Sequence, residues 1–508
     1  MSETRTDLPF RETDLFATLV GLITPLGIQA SNDELFKGAV FGRDSLRVGL
    51  DLVPWLAPLS ETIIFSLAHL QATEARAVSD AKRAGQIPHE ARFLYVGSRR
   101  VGPRQEAILR ELAGKWGGTE DRVIQYGSAD STPQFVRLVA SHVRHHGRGI
   151  LDETFRRADG ETLTVRESVL AAVTWTEEEI RAAERPLLGF LRSNKEHGHR
   201  WQVVQDGATS IVHPDGRLAN ADARVETIGL QGLAYDALVE GAELLEDVAP
   251  DDAKRWRALA DEVRDATLEA FWMPEDEYFG TAIDRDPADG TTPRLVRTIS
   301  AIPTELLETR IFDGLPDDEM RTYVSGIVRM AHGPELMTPA GIRSRALRHA
   351  DAMPYPDYHG AQSCWGVTNS VYAAGLARQG LPDLATDVAV RHITAQGATG
   401  ALREFLYVDP QGRVRFPLLP VEDGAPEEDV LAGTNSPETQ QAWTVSFVLR
   451  TRLEWGTSPE PAAGWRAELT RDLATSAPKV ELRPAYLDRE RAFELEAQVV
   501  ALGPSTGA

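Results

Sequence analysis

The chain has a single cysteine in 508 residues, Cys364. No disulfide can form within it, so a small cross-linked scaffold is excluded and a reducing compartment fits. Long apolar runs are missing as well. The most hydrophobic early stretch, Leu15 to Ile28, is interrupted by Thr18, Gly21, Thr24, Pro25 and Gly27, which leaves it too short and too broken to cross a bilayer. The opening Met1-Ser2-Glu3-Thr4-Arg5-Thr6-Asp7 lacks the charged-then-apolar pattern of a secretion signal. A soluble, cytoplasmic protein is expected. Basic runs are scarce: Ser98-Arg99-Arg100 and Arg343-Ser344-Arg345 stand against a formal net charge of −22. Nucleic-acid binding needs a cationic footprint, so neither nucleic acid nor membrane is expected as a partner. Metal motifs are weak too. There is no His-Glu-x-x-His run, His197-Gly198-His199 and His145-His146 lack a matching partner, and Leu295 stands where the loop beginning at Asp284 would need a closing acid to hold calcium. With no nucleophile elbow, phosphate loop or dinucleotide fingerprint, no metal and no cofactor are expected.

What is present is helical periodicity. Leu230, Leu233, Ala234, Ala237, Leu238 and Ala242 recur at three- and four-residue steps, which places them on one helix face. Similar spacing predicts helices within 60–73, 167–191, 253–271 and 367–378. Ser131-Thr132-Pro133 and Ser436-Pro437-Glu438 read as helix starts, and Arg378-Gln379-Gly380-Leu381-Pro382 as a helix stop. Long polar loops alternate with the helices and hold most of the tryptophans and carboxylates. No fixed-period repeat supports a solenoid. This pattern predicts an all-α toroid of helical hairpins with a pocket at one end and only minor β-hairpins, one of them formed by Trp201–Val204 and Ser210–His213 around Asp206-Gly207. We expect an N-terminal extension over 1–34, the barrel over 35–455 and a tail over 456–508 packed on it, its final segment either a helix or a strand pair. The oligomeric state is not legible.

Two carboxylates in such loops, Asp206 and Glu404, are candidates for an acid and a base across a sugar pocket. Asp206 in a hairpin turn is also ordinary turn chemistry. As an acid it would need partial burial, with Trp201 near enough to help. Glu404, between apolar neighbours, also reads as the solvent face of a strand. As a base it would need to stay ionised, with Arg403 or another cation holding its pKa low. Glu438 is a rival base, but its place in the first turn of a helix has a sufficient explanation in the helix dipole. Gln441 and Trp443 follow it as pocket candidates. Asp44 reads as a helix cap or, beside Arg43, as a ligand for sugar hydroxyls, since carboxylates and guanidinium groups make paired hydrogen bonds.

Taken in order, these pieces resemble a known family. Phe41-Gly42-Arg43-Asp44-Ser45, Ile87-Pro88-His89-Glu90, Tyr126-Gly127-Ser128-Ala129-Asp130-Ser131-Thr132-Pro133, the Asp206 loop, Gly341-Ile342-Arg343-Ser344, Tyr358-His359-Gly360 to Trp365, Leu402-Arg403-Glu404 and Gln440-Gln441-Ala442-Trp443 are similar to successive loops of bacterial amylo-α-1,6-glucosidases of the glycogen-debranching type, relatives of the six-hairpin glycosidases. The resemblance covers residues 35 to 455. It implies an (α/α)6 barrel that hydrolyses an α-glucosidic bond with inversion. Asp206 would be the acid, Glu404 the base, and Arg43, Asp44, Tyr126, Asp130, Trp201, Arg343, His359, Trp365 and Trp443 would line the substrate site. Gln205 stands where that family carries lysine and Thr209 where it carries a second aspartate, so the substrate need not be glycogen. Two other functions fit the same barrel: a sugar isomerase or epimerase using His359 or His213, or a barrel that binds carbohydrate without cutting it.

Overall fold

A computed structural model describes residues 8–24, 26–31, 36–73, 76–77, 81–96, 98–192, 195, 198–353, 357–416, 438–454, 459–476, 479–487 and 492–500. Its α-helices are α1 (Glu12–Leu22), α2 (Gly42–Leu52), α3 (Ala57–His69), α4 (Pro103–Trp116), α5 (Ser131–His146), α6 (Val165–Arg181), α7 (Ile228–Leu245), α8 (Pro250–Phe271), α9 (Asp317–His332), α10 (Gly366–Arg378), α11 (Pro382–Ala398), α12 (Ala442–Glu454) and α13 (Trp465–Ser476). A 3-10 helix, Ile302–Glu308, interrupts the series.

The packing order shows why this is a toroid. Helix α2 packs on α5, α5 on α7, α7 on the Ile302–Glu308 helix, that helix on α10, α10 on α12, and α12 back on α2. These six segments close an inner ring. An outer set backs them: α3 and α6 behind α2 and α5, α8 behind α7, α9 behind the 3-10 helix, α11 behind α10 and α1 behind α12. The last pair sets residues 12–22 against residues 442–454. Leu15, Leu19 and Leu22 of α1 are buried in the same core as Val445, Val448 and Leu449 of α12. Helices sandwiched in this way must be apolar on more than one side. Helix α7 accordingly buries its predicted stripe and nearly everything else. Each fully buried aliphatic side chain contributes about 1.5–3 kcal/mol.

Most of the predicted helices are present. The one expected within 167–191 ends at Arg181, and Thr164 and Glu167 form a reciprocal capping box at its start. Helix α5 does begin at Ser131, but the residue in the cap position, Asp130, does not cap it with its side chain. Ser436 and Pro437 lie outside the described residues. Helix α12 starts only at Ala442, so Glu438 is not in its first turn. The hairpin expected around Asp206 is not formed; Ser210 N donates to Gly207 O at 2.9 Å in a turn within irregular backbone. Asp44 lies inside the first turn of α2, not at its cap.

Small sheets sit at the helix entrances. Strand Ala39–Phe41 pairs with Glu90–Phe93, which pairs with Arg122–Gln125. A five-stranded antiparallel sheet has the order Ser363–Trp365, Phe405–Val408, Val414–Phe416, Ala492–Val500, Lys479–Leu487. The final segment is therefore a strand pair. Among the described residues no helix is long and apolar enough to cross a membrane.

Candidate active site

The chain enters the inner helices at one end of the toroid, and the candidate residues collect there. At the first entrance strand Ala39–Phe41 turns directly into α2. Gly42 N donates to His89 O at 2.9 Å, and a Cβ on Gly42 would fall 2.1 Å from Pro88 O, so only glycine permits this turn. It carries Arg43 and Asp44, both 4% exposed, to the mouth of the ring. Arg43 Nε donates to Asp130 Oδ2 at 2.8 Å and Nη1 to Asp206 Oδ2 at 3.3 Å. Asp130 is thus engaged by a cation from α2 in place of capping its own helix. Gln441, just before α12, donates to Asp44 Oδ1 at 2.7 Å.

The Asp206 loop has no regular structure, and side chains hold it. Trp201 Nε1 donates to Ala208 O at 3.3 Å, Thr209 Oγ1 to Asp357 Oδ1 at 2.7 Å, and Gln205 Nε2 to Glu305 Oε1 at 2.8 Å. Ser210 Oγ lies 2.9 Å from His359 Nδ1. Asp206 itself is 29% exposed at the side chain. Burial pushes its carboxyl up to about 6, against the pull of Arg43.

Glu404 is 8% exposed and immediately precedes strand Phe405–Val408. Its amide donates to Glu438 O at 2.9 Å, and its carbonyl accepts from Gly366 N at 3.1 Å. Tyr358 donates its hydroxyl to Glu404 Oε1 at 2.9 Å. The same phenol ring lies against the acid loop, since a Cβ on Gly207 would meet Tyr358 Cδ1 at 2.8 Å. One side chain therefore reaches from the Asp206 loop to the Glu404 carboxylate. The expectation of a cation-held base is not met. Burial first, and then the charge of Glu438, push Glu404 well above the usual carboxylate range, with Asp44 and Asp206 adding to the effect. The hydrogen bond from Tyr358 pulls the other way.

Below this mouth lies a cavity lined by Arg43, Asp130, Glu305, Arg47, Arg137 and Glu308, with Val204, Leu233, Val367 and Val371 as apolar wall. Arg47 is one turn deeper than Arg43 on α2, and its Nη1 donates to Glu308 Oε1 at 2.7 Å. Burial works to raise Glu308, but Arg47 and Arg137 outweigh it and hold the carboxyl at about 2. Burial pushes Glu305 up to about 7 and Asp44 also to about 7.

Other predicted ligands sit at one remove. The hydroxyl of Tyr126 is spent on Leu70 O at 2.7 Å, so Tyr126 ties a loop to α3 and does not offer its OH to the cavity. Trp201 is 1% exposed and serves as a floor under the acid loop. Arg343 is 2% exposed and donates to Ala361 O at 2.6 Å, which anchors the loop before Trp365. Trp365 is 1% exposed, and its ring stacks on both His359 and Phe405, at centroid distances of 4.2 and 4.8 Å. It stiffens the wall behind Tyr358 and presents no open stacking face. Trp443 packs 6.1 Å from Trp365 in the same cluster. His213 lies 3.3 Å from Asp284 Oδ2 in an internal pair. Sequence reading placed Tyr358 in a matched loop without giving it a role, and it passed over Glu305 and Glu308. The two glutamates have a signal, an i, i+3 spacing that eclipses on a 3-10 helix, but the segment is too short to register as periodic.

The chain is similar in structure to the GH63 mannosylglycerate hydrolase from Thermus thermophilus. In the complex with glucose the identity is 14%, with 86% of this chain and 99% of that chain covered at a TM-score of 0.55. In the complex with Tris and D-glycerate the values are 13%, 86%, 99% and 0.54. An uncharacterised conserved protein of the same organism gives 13%, 86%, 98% and 0.53. At these identities the likeness shows the (α/α)6 fold alone. No curated protein matches the sequence. The family model of the mannosylglycerate hydrolase MGH1-like glycoside hydrolase domain matches residues 133–411, more than half of the chain. The chain belongs to this family and is a glycoside hydrolase of the six-hairpin kind. The match does not single out the debranching type.

Proposed function

We propose that this protein hydrolyses the α-glucosidic bond of a small glycoside with inversion at the anomeric carbon. Asp206 gives its proton to the glycosidic oxygen as the bond to the anomeric carbon breaks. Glu404 takes a proton from a water, whose oxygen forms the new bond from the opposite face of the sugar. Glu404 then gives its proton to solvent and Asp206 regains one from solvent. Positioning and acid–base chemistry suffice, and no cofactor enters the reaction.

The observation that carries this reading is the bridging phenol of Tyr358, which lies against the Asp206 loop at one end and donates to Glu404 at the other. It supports reading the two carboxyls as neighbours. For inversion they need to stand roughly 6.5–9.5 Å apart, with a water between the base and the sugar. A small substrate is favoured over a polymer by the structurally similar hydrolase, which is named for mannosylglycerate and was solved with glucose and with D-glycerate.

The test is a screen of sugar release from glucosides and mannosides of small hydroxy acids, α-linked disaccharides and glycogen, followed by proton NMR of the first anomer released. The expected result is turnover of a small α-glycoside with the β-anomer appearing first. Release of the α-anomer first would remove the inverting assignment, and glycogen as the preferred substrate would remove the small-glycoside reading. Isomerised sugar without bond cleavage would favour the isomerase reading.

A further inference from the structure

We propose that Glu305 is a positioning residue for the acid, acting on Asp206 through Gln205; the inference rests on the reaction proposed above.

Glu305 belongs to the 3-10 segment of the inner ring, not to any of the loops that carry the other candidate residues. It lines the cavity beside Arg43 and Asp130. Its Oε1 accepts from Gln205 Nε2 at 2.8 Å. Gln205 is 7% exposed and directly precedes Asp206. The site is built to receive this carboxyl, because a Cβ on Gly229 of α7 would fall 2.1 Å from Glu305 Oε2. Any side chain at residue 229 would push the carboxyl out of its slot.

The backbone at 205 and 206 is neither helix nor strand, so side-chain contacts decide where Asp206 points. After the acid, Thr209 and Ser210 fix the loop to Asp357 and His359. Arg43 reaches the carboxylate itself. Immediately before the acid, the Gln205–Glu305 bond ties the chain to the inner ring. Without it the acid can pivot about Gly207, and displacement of a reacting group by about 1 Å can cost on the order of 10²-fold in rate.

A role confined to the proton donor separates from a merely structural one by leaving group. An O-glycoside needs protonation as its bond breaks. The glycosyl fluoride of the same sugar releases fluoride with far less help. We expect Glu305→Ala and Gln205→Ala each to lower kcat on the O-glycoside by roughly 10–100-fold, with KM little changed and with fluoride hydrolysis within about threefold of wild type. The double variant should be no worse than either single one, as for two ends of one interaction. Glu305→Gln, whose amide oxygen still accepts from Gln205, should recover most of the loss. Wild-type kcat on the O-glycoside in both alanine variants, equal losses on both substrates, or losses that multiply in the double variant would each overturn the proposal. If Glu305→Ala does not fold, Gln205→Ala and Glu305→Gln decide alone. Asp206→Asn in the same assays keeps the two levels apart. Its full activity on the O-glycoside would sink the acid assignment, whereas its inactivity beside wild-type Gln205→Ala would sink only the role of Glu305.

Discussion

Arg43 joins Asp206 to Asp130, with Nη1 3.3 Å from one carboxylate and Nε 2.8 Å from the other. This one guanidinium sets how far burial can raise the acid. It leaves the Asp206 carboxyl at about 6, so the proton needed for leaving-group departure is lost as pH rises through that value. We expect kcat/KM on an O-glycoside to fall on the alkaline side, and the fall to be absent when a glycosyl fluoride is the substrate. Asp206→Asn should lower kcat on the O-glycoside by roughly 10²–10⁴-fold and spare the fluoride. Glu404→Gln should lower both. A pH profile with the same alkaline limb for both substrates would deny Asp206 the role of acid.

Glu438 pushes Glu404 upward by charge, second only to burial. Removal of that charge favours the ionised form of Glu404, so its pKa drops. In Glu438→Gln the acid limb of kcat/KM, where the base loses its working form, should move to lower pH by about one unit or more, with kcat on the plateau within roughly tenfold of wild type. Loss of all turnover in Glu438→Gln, with Glu404→Gln still active, would exchange the two residues and make Glu438 the base.

The fold was legible because helices packed on two sides leave a strong apolar rhythm, and α7 and α8 stand in the sequence almost to the residue. Of the residues proposed from sequence, the structure pairs Arg43 of the first turn of α2 with Asp130 just before α5 and with Asp206, and it sets Glu404 within electrostatic reach of Asp44 and Asp206. What could not be read is which way a loop side chain turns. Tyr126 and Trp201 have the composition of a sugar platform, yet one is bonded to Leu70 O and the other lies beneath the acid loop. Glu438 looked like a helix-start acid because Ser436-Pro437 precedes it, but α12 begins at Ala442. Tyr358 stood in a loop that resembles the family's, but its contact could not be read, since it arises only when the loop before Trp365 is folded against Gly207 and Glu404, regions far apart along the chain.

Asp44 offers a test of burial through stability. Its carboxyl is raised from 3.8 to about 7 by desolvation, which outweighs Arg43 and Gln441. A group whose pKa is higher in the folded state stabilises the fold below its unfolded pKa, and that contribution is lost as pH rises through the folded value. Between pH 5 and pH 8 wild type must bury a charge that Asp44→Asn never carries. The melting temperature of Asp44→Asn relative to wild type should therefore rise across this interval, by about 2–4 °C. A difference that is constant with pH, measured by calorimetry at both ends, would mean that Asp44 is ionised in the fold throughout.

Deeper in the ring, Asp51 binds three inner helices to one another. Its carboxylate is wholly buried and accepts from Arg47 of α2 at 2.6 Å, from Arg450 of α12 at 2.6 Å, from Ser446 of α12 at 2.8 Å and from Ser370 of α10 at 3.1 Å. Removal of one partner of a buried ion pair leaves the others desolvated and uncompensated, which typically costs about 3–5 kcal/mol. Asp51→Ala removes a carboxylate shared by two buried guanidinium groups and leaves Arg47 with Glu308 and Arg450 with the Ser370 carbonyl, so its midpoint in urea should fall well below that of wild type. Asp247, by contrast, is 52% exposed at the side chain and pairs with Arg148 and Arg166 at the surface. Surface pairs of this kind contribute about 0–1 kcal/mol, and Asp247→Ala should unfold close to wild type. If the two variants shift by the same amount, the charges at the centre of the toroid are not what holds α2, α10 and α12 together, and the apolar packing around them must carry the ring unaided.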